Sequence, residues 1–478
     1  MYGLIIIGDD LSSLVAAATA SAQGIATALI SETGMGANIS VGDLSFNADP
    51  TPFTGISDNK FLVSFFNELG ILPKTASLNP AYQVILPEKR IDFFNDKDDL
   101  TKELIREFPE LANEIKAYYD ALEINSVITE DWLARHPGIQ PKSFSDFLDF
   151  LKLTPYFIKR VSERLKFKKI VSQYPCFQKA MEAQQALLSF QLNAKDCLFS
   201  DFIYGTALRG VYTFPDGKYI FFNDLIRKLE AAGGLYLKNH EILSVKKGRI
   251  IEVAYKDANS IAAKMESEKL IVSDKWQNMH HIMDRGRKFH WSDFFRPAQI
   301  AYYPFTIHLG ITPQCLPEKM ARHIAVVSDV GRDLYDDNNL ILLESGVAQN
   351  TGAADTSQIP LSATVFLPDH SDVWSENNLA KRGDAIIDHL DDFLPFLREN
   401  IKFFDIQESI SISQKQRNVV NPKYRIRNAL LSGFAAKTNK TRFSNIYLTG
   451  ASRLADAGFA GEILSGINAV RQLSEQRK

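Results

Sequence analysis

The chain opens on a change of hydrophobic period. Leu4-Ile5-Ile6-Ile7 is an unbroken apolar run, which predicts a strand buried on both faces, and Gly8 ends it. From Leu11 the apolar positions move to helical spacing. Leu11, Leu14, Val15 and Ala18 form one face, Ala16, Ala17 and Ala20 allow close packing, and Gly24 stands where a C-terminal cap belongs. Ala26 to Ile30 predicts a second strand, with Glu32 just beyond it.

Similar alternations recur further along. A helical pattern runs through Leu225, Ile226 and Leu229 to a stop at Gly233-Gly234, and Leu235-Tyr236-Leu237 predicts a strand. Ile242, Val245, Ile250, Ile251 and Val253 alternate as a hairpin around Lys247-Gly248, and residues 269–274 return as a buried strand. Near the end, residues 444–450 read as a strand closing on Gly450, residues 451–460 as a small-residue loop, and residues 461–470 as a helix. Between these lie helical spacing over 100–122 and 144–153, candidate strands at 301–310, 324–327 and 340–343, and an amphipathic helix over 385–397.

The opening segment has the order of a nucleotide-binding βαβ unit: strand, turn, helix, strand, acid. In such a unit the turn brings backbone N–H groups and a helix N-terminus against a pyrophosphate, and the acid accepts ribose hydroxyls. Glu32 has the type and offset for that role. The turn, Gly8-Asp9-Asp10-Leu11-Ser12-Ser13, keeps only the first glycine of a G-x-G-x-x-G pattern. Ser13 is small enough for close helix packing. Asp10 puts a carboxylate where a diphosphate would approach, and this costs affinity unless the side chain turns away to cap the helix. On this segment alone, a buried βαβ unit without a nucleotide fits equally well.

Composition narrows the class. With 478 residues, 45% hydrophobic and 23% charged, the chain can bury a large core and divide into two or three interleaved domains. A net charge of -3 offers no overall field for nucleic acid. Cys176, Cys197 and Cys315 lie far apart, which suggests neither a zinc site nor a disulfide framework, and a reducing cytoplasm is expected. No basic n-region precedes Leu4, and no apolar run approaches the roughly 20 residues of a membrane-spanning helix.

The run Gly210-Val211-Tyr212-Thr213-Phe214-Pro215-Asp216-Gly217-Lys218, with its helix, Gly-Gly stop, strand and hairpin, resembles the phytoene desaturase-like branch of the FAD-dependent amine oxidase and desaturase superfamily. Asp216 replaces one member of that branch's glycine pair. The closing strand, Gly450, loop and Ser465-Gly466 helix are similar to the superfamily's last motif, whose helix N-terminus faces the flavin pyrimidine and stabilises charge on the reduced ring. The resemblance implies an α/β fold: a Rossmann-like FAD-binding domain of three β/β/α layers, interleaved with a mixed-sheet and helical substrate domain. The FAD domain is expected over 1–80, 201–290 and 431–478, the helical lid over 81–200, and the substrate sheet over 291–430. FAD would be held noncovalently by Gly8, Ser12, Ser13, Glu32, Ile242, Gly450, Gly461 and Ile463, with the Ile242 backbone at the adenine.

Two functional classes remain open. The first is an FAD-dependent oxidoreductase that desaturates, isomerises or oxidises an apolar or amine-bearing small molecule by hydride transfer to flavin N5. The second is a degenerate subunit with weak or absent FAD binding that acts in assembly or binding. Asp10, Asp216 and Thr33-Gly34-Met35-Gly36-Ala37, which lacks the relatives' basic residue and glycine pair, point to the second. His308, in an apolar strand, is either a catalytic candidate or a core histidine. His280 and His281 lack metal-ligand companions and read as surface residues. Residues 156–169 interleave lysine and arginine with apolar positions, which fits either a lid helix or peripheral membrane contact.

Overall fold

A computed structural model describes the chain except residues 35–37, 136–143, 193–199, 258, 277–298, 351–356, 418, 426–438, 442, 455–456 and 475–478. His280, His281, Cys197 and the 35–37 part of the altered segment lie outside the described residues. Strand β1 (Tyr2–Ile7), helix α1 (Leu11–Ala22) and strand β2 (Thr27–Ser31) form the expected opening unit. β1 pairs in parallel with β2 on one side and with Ala262–Ser273 on the other. Leu235–Lys238 adds in parallel beyond β2. Ala262–Ser273 changes partner along its length. Its first half pairs antiparallel with Ile251–Lys256, and its end pairs in parallel with Ile446–Thr449. A central parallel sheet and an antiparallel meander are thus joined through one continuous strand.

Helix α1 and the closing helix Gly458–Ser474 cover one face of this sheet at close range, since a side chain on Gly466 would come within 2.5 Å of the Ser12 carbonyl oxygen. Alanines 16, 17, 18 and 20 and Ile463, Leu464 and Ile467 join one apolar core there. The second sheet orders Ile401–Phe404, Gln299–Ile311, Ser357–Pro368, Leu340–Ser345, His323–Val327, Tyr82–Leu86 and Lys89–Phe93. Leu379, Ile386 and Leu390 of the helix Glu376–Phe393 share a core with Phe305 and Ile307 of this sheet.

Several element limits differ from the periodicity. The 100–122 pattern becomes two helices, Lys97–Glu107 and Ala112–Arg135, because Pro109 lacks the N–H that would continue the first. The 144–153 pattern continues as a helix to Val171 through Pro155. The helix expected over 385–397 runs instead from Glu376 to Phe393 and stops before Pro395, which disfavours helical backbone at Leu394. The closing helix begins at Gly458, three residues earlier than the spacing of Gly461 suggests. Among the described residues no helix is long and apolar enough to cross a membrane.

Candidate functional site

The turn after β1 places Asp10 at the N-cap of α1, in extended backbone. One carboxylate oxygen accepts from the Ser13 amide at 2.9 Å, from Ser12 Oγ at 3.0 Å and from Ser13 Oγ at 2.6 Å. The other accepts from Ser273 Oγ at 2.6 Å. An N-cap acceptor satisfies an amide that the helix leaves free, and a carboxylate also complements the positive end of the helix dipole. Asp10 has therefore turned to cap the helix, and its own charge lies where the βαβ logic puts a phosphate. Gly8 closes the same space, since a Cβ there would lie 2.2 Å from Ser13 Oγ and 2.7 Å from Ser273 Cβ. Beside it, burial raises the Asp9 carboxyl to about 6, against a lowering hydrogen bond from Ser31 Oγ.

Glu32 reaches the end of β2 as expected, but both its oxygens are bonded within the protein. Oε1 accepts from the Ile242 amide at 2.8 Å, and Oε2 accepts from the Trp276 indole Nε1 at 2.9 Å. The two groups that the resemblance assigns to the ribose and the adenine thus meet each other. Trp276 is 8% exposed and joins the apolar cluster of Ile5, Ile7, Ile30 and Ile242.

At the other end, Gly450 takes φ +136°, a conformation that L side chains rarely adopt, and a Cβ there would strike the Asp274 carboxylate at 1.8 Å. Its amide donates to Ser465 Oγ at 3.1 Å. Gly461 abuts the Leu454 carbonyl oxygen, which a Cβ would meet at 2.2 Å, and Ile463 is buried in the core behind. Between them Glu462 is 1% exposed, accepts from Asn421 Nδ2 at 3.1 Å and lies 3.5 Å from Lys275 Nζ. Lys275 also donates to the Val419 carbonyl at 3.0 Å. Burial pushes the Glu462 carboxyl up to about 7, with Lys275 pulling the other way. Burial opposes the Lys275 ammonium, but Glu462, Asp10, Asp274 and Asp49 together hold it above the usual lysine value.

The structure therefore brings Gly8, Ser12, Ser13, Glu32, Gly450, Gly461 and Ile463 to the end of the parallel sheet and the two helices against it, with Ile242 reaching them from the antiparallel meander. It joins them through Asp10, Ser273, Lys275, Trp276 and Glu462, which periodicity does not single out. The available signal was Asp274-Lys275-Trp276, two charges and an indole directly after a buried strand.

His308 lies apart from this group. It is fully buried in the second sheet, edge-to-face with Phe46 at 5.0 Å, and among the described residues neither ring nitrogen has a hydrogen-bond partner. Burial depresses its pKa to about 4, so the ring is neutral at neutral pH. A separate cavity of about 330 Å³ opens between the Asn38–Asn47 hairpin, Pro215–Gly217 and the ends of the second sheet. Asp216, Tyr219, Arg322 and Glu344 line it, and neither His308 nor any of the eight cofactor candidates does.

No sequence family and no curated protein matches the chain. Solved structures do. An oxidoreductase from Methanosarcina mazei superposes with a TM-score of 0.59 at 13% identity, covering 99% of this chain and 100% of its own. Cyclohexylamine oxidase from Brevibacterium oxydans gives 0.57 at 12% identity over 100% of both chains. Putrescine oxidase bound to putrescine gives 0.53 at 14% identity, covering 100% of this chain and 99% of its own. The fold is that of the FAD-dependent amine oxidases. Within that fold, the N–H of α1 that would meet a diphosphate already has Asp10, and the acid for a ribose already has Trp276. A like charge about 4 Å from the Asp10 carboxylate would meet repulsion of about 4 kcal/mol at an effective dielectric near 20. These residues do not fit the cofactor as they are arranged.

Proposed function

We propose that this protein uses the amine-oxidase fold as a degenerate subunit, acting in binding or assembly, with its dinucleotide groove closed by its own side chains. The observation that carries the reading is Glu32, whose two oxygens are taken by the Ile242 amide and the Trp276 indole. Asp10 supports it from the phosphate position, and the buried Lys275–Glu462 pair supports it from the start of the closing helix. A carboxylate taken out of water is tolerated when it is hydrogen-bonded or paired; Asp10 and Glu32 are hydrogen-bonded within the protein, and Glu462 is both hydrogen-bonded and paired. A cofactor would have to break those bonds to bind. The cavity of about 330 Å³ beside Tyr219 and Glu344 falls at the small end of the size range of small-molecule sites, and it is the place for a ligand on this reading.

The deciding experiment is a visible spectrum of the purified protein, followed by thermal unfolding with increasing FAD. A colourless protein whose melting temperature does not move is expected. A yellow protein carrying stoichiometric FAD, or a melting temperature that climbs with FAD, overturns the proposal in favour of a flavin oxidoreductase.

A further inference from the structure

The helix Phe144–Val171 shows two contrasting faces. On its inner side Arg160 donates to the buried Asp201 carboxylate at 2.7 and 3.0 Å, and Arg164 pairs with the same carboxylate at 2.6 Å. Phe167 stacks on Tyr118 at 4.3 Å on that side. On its outer side Leu148, Leu151, Ile158 and Leu165 are 43%, 46%, 65% and 61% exposed. The buried ion pair fixes the rotation of the helix, so these side chains cannot turn inward without exposing Arg160 and Arg164.

The outer residues form a pattern. Leu151, Ile158 and Leu165 recur every seventh position, which keeps them on one line with a drift of only about 20° per repeat. Each is followed by a lysine, Lys152, Lys159 and Lys166, and Lys168 and Lys169 end the row, all of them exposed. Carboxylates are fewer on this face: Asp149 bonds Lys152 at 2.8 Å, and Glu163 lies 3.9 Å from Lys159. A basic, apolar face therefore stands on a chain whose net charge is -3. The stripe spans eighteen positions from Leu148 to Leu165, about 26 Å from its first residue to its last.

We propose that this face docks on an anionic lipid surface, with the helix lying in the plane of the interface. Leucine and isoleucine would enter the boundary of the acyl chains, and the lysines would reach back to the headgroup phosphates. A second copy of the chain suits this face poorly, because two lysine rows would meet. This surface is independent of the closed groove and survives if that reading fails.

The test is co-sedimentation of the full chain with vesicles of phosphatidylcholine alone or mixed with phosphatidylglycerol. Binding to the mixed vesicles, weakened by salt, is expected. Ile158→Ser with Leu165→Ser should reduce it at least roughly tenfold, as should Lys159→Glu with Lys166→Glu, with melting temperatures unchanged. Absence of binding to mixed vesicles, equal binding by the variants, or retention by an acidic protein partner in place of lipid overturns the proposal.

Discussion

Asp10 accepts four hydrogen bonds at the start of α1. Replacing it with alanine removes the cap and leaves the hydroxyls of Ser12, Ser13 and Ser273 without their acceptor. A loss of about 2 kcal/mol is expected for Asp10→Ala in urea unfolding, and less than half of that for Asp10→Asn, whose carbonyl can still cap. Trp276→Ala should cost about 3–5 kcal/mol by the same measurement, and it also frees Glu32 Oε2. His308 predicts a pH dependence. Its pKa is near 6.5 unfolded and about 4 folded, so between these values the unfolded chain binds more protons. The stability it permits is complete above its unfolded value and falls as the pH drops toward 4. At about pH 5 the deficit is roughly 2 kcal/mol, and His308→Phe should flatten that part of a stability-versus-pH curve. Glu32 and Gly8 were visible in the sequence because offset and turn chemistry are local. Trp276 as the partner of Glu32 was not, because the two are 244 positions apart and meet only across the sheet.

Among the elements, the opening and closing segments were the most legible. The alanines of α1 were read as allowing close packing, and the structure supplies the partner: Gly466 of the closing helix lies against the Ser12 carbonyl oxygen. Gly466→Ala should therefore force the two helices apart, lowering stability by about 1–3 kcal/mol in thermal unfolding. Limits that depend on tertiary support were less legible. Pro155 argues for a helix end, yet the helix continues to Val171, held by Arg160 and Arg164 on Asp201. Removing the shared carboxylate with Asp201→Ala strands two buried guanidinium groups. It should cost about 3–5 kcal/mol, and proteolysis should report release of the 144–171 helix first.

For the molecule as a whole, the parallel sheet with its meander follows from apolar runs in three separated stretches of chain, whereas of the second, mostly antiparallel sheet only the strands Gln299–Ile311, His323–Val327 and Leu340–Ser345 were anticipated. Hydrophobic burial does not depend on whether a cofactor is present, so the same apolar pattern builds the fold either way. The altered positions are the opposite case. Asp10 and Asp216, like Glu462 of the closing helix, are polar residues whose meaning depends on partners that a linear reading cannot supply. In the structure Asp10 becomes a cap, Asp216 lines a cavity, and Glu462 joins a buried ion pair.

On the proposed reading, Trp276 gives the groove a consequence for supply. A protein that binds a diffusible molecule in its native state gains stability in proportion to the logarithm of that molecule's concentration, so its abundance follows the vitamin from which the molecule is made. Here the indole is part of the polypeptide and its local concentration is fixed by the fold. Cells starved of riboflavin should then keep as much of this protein as well-fed ones.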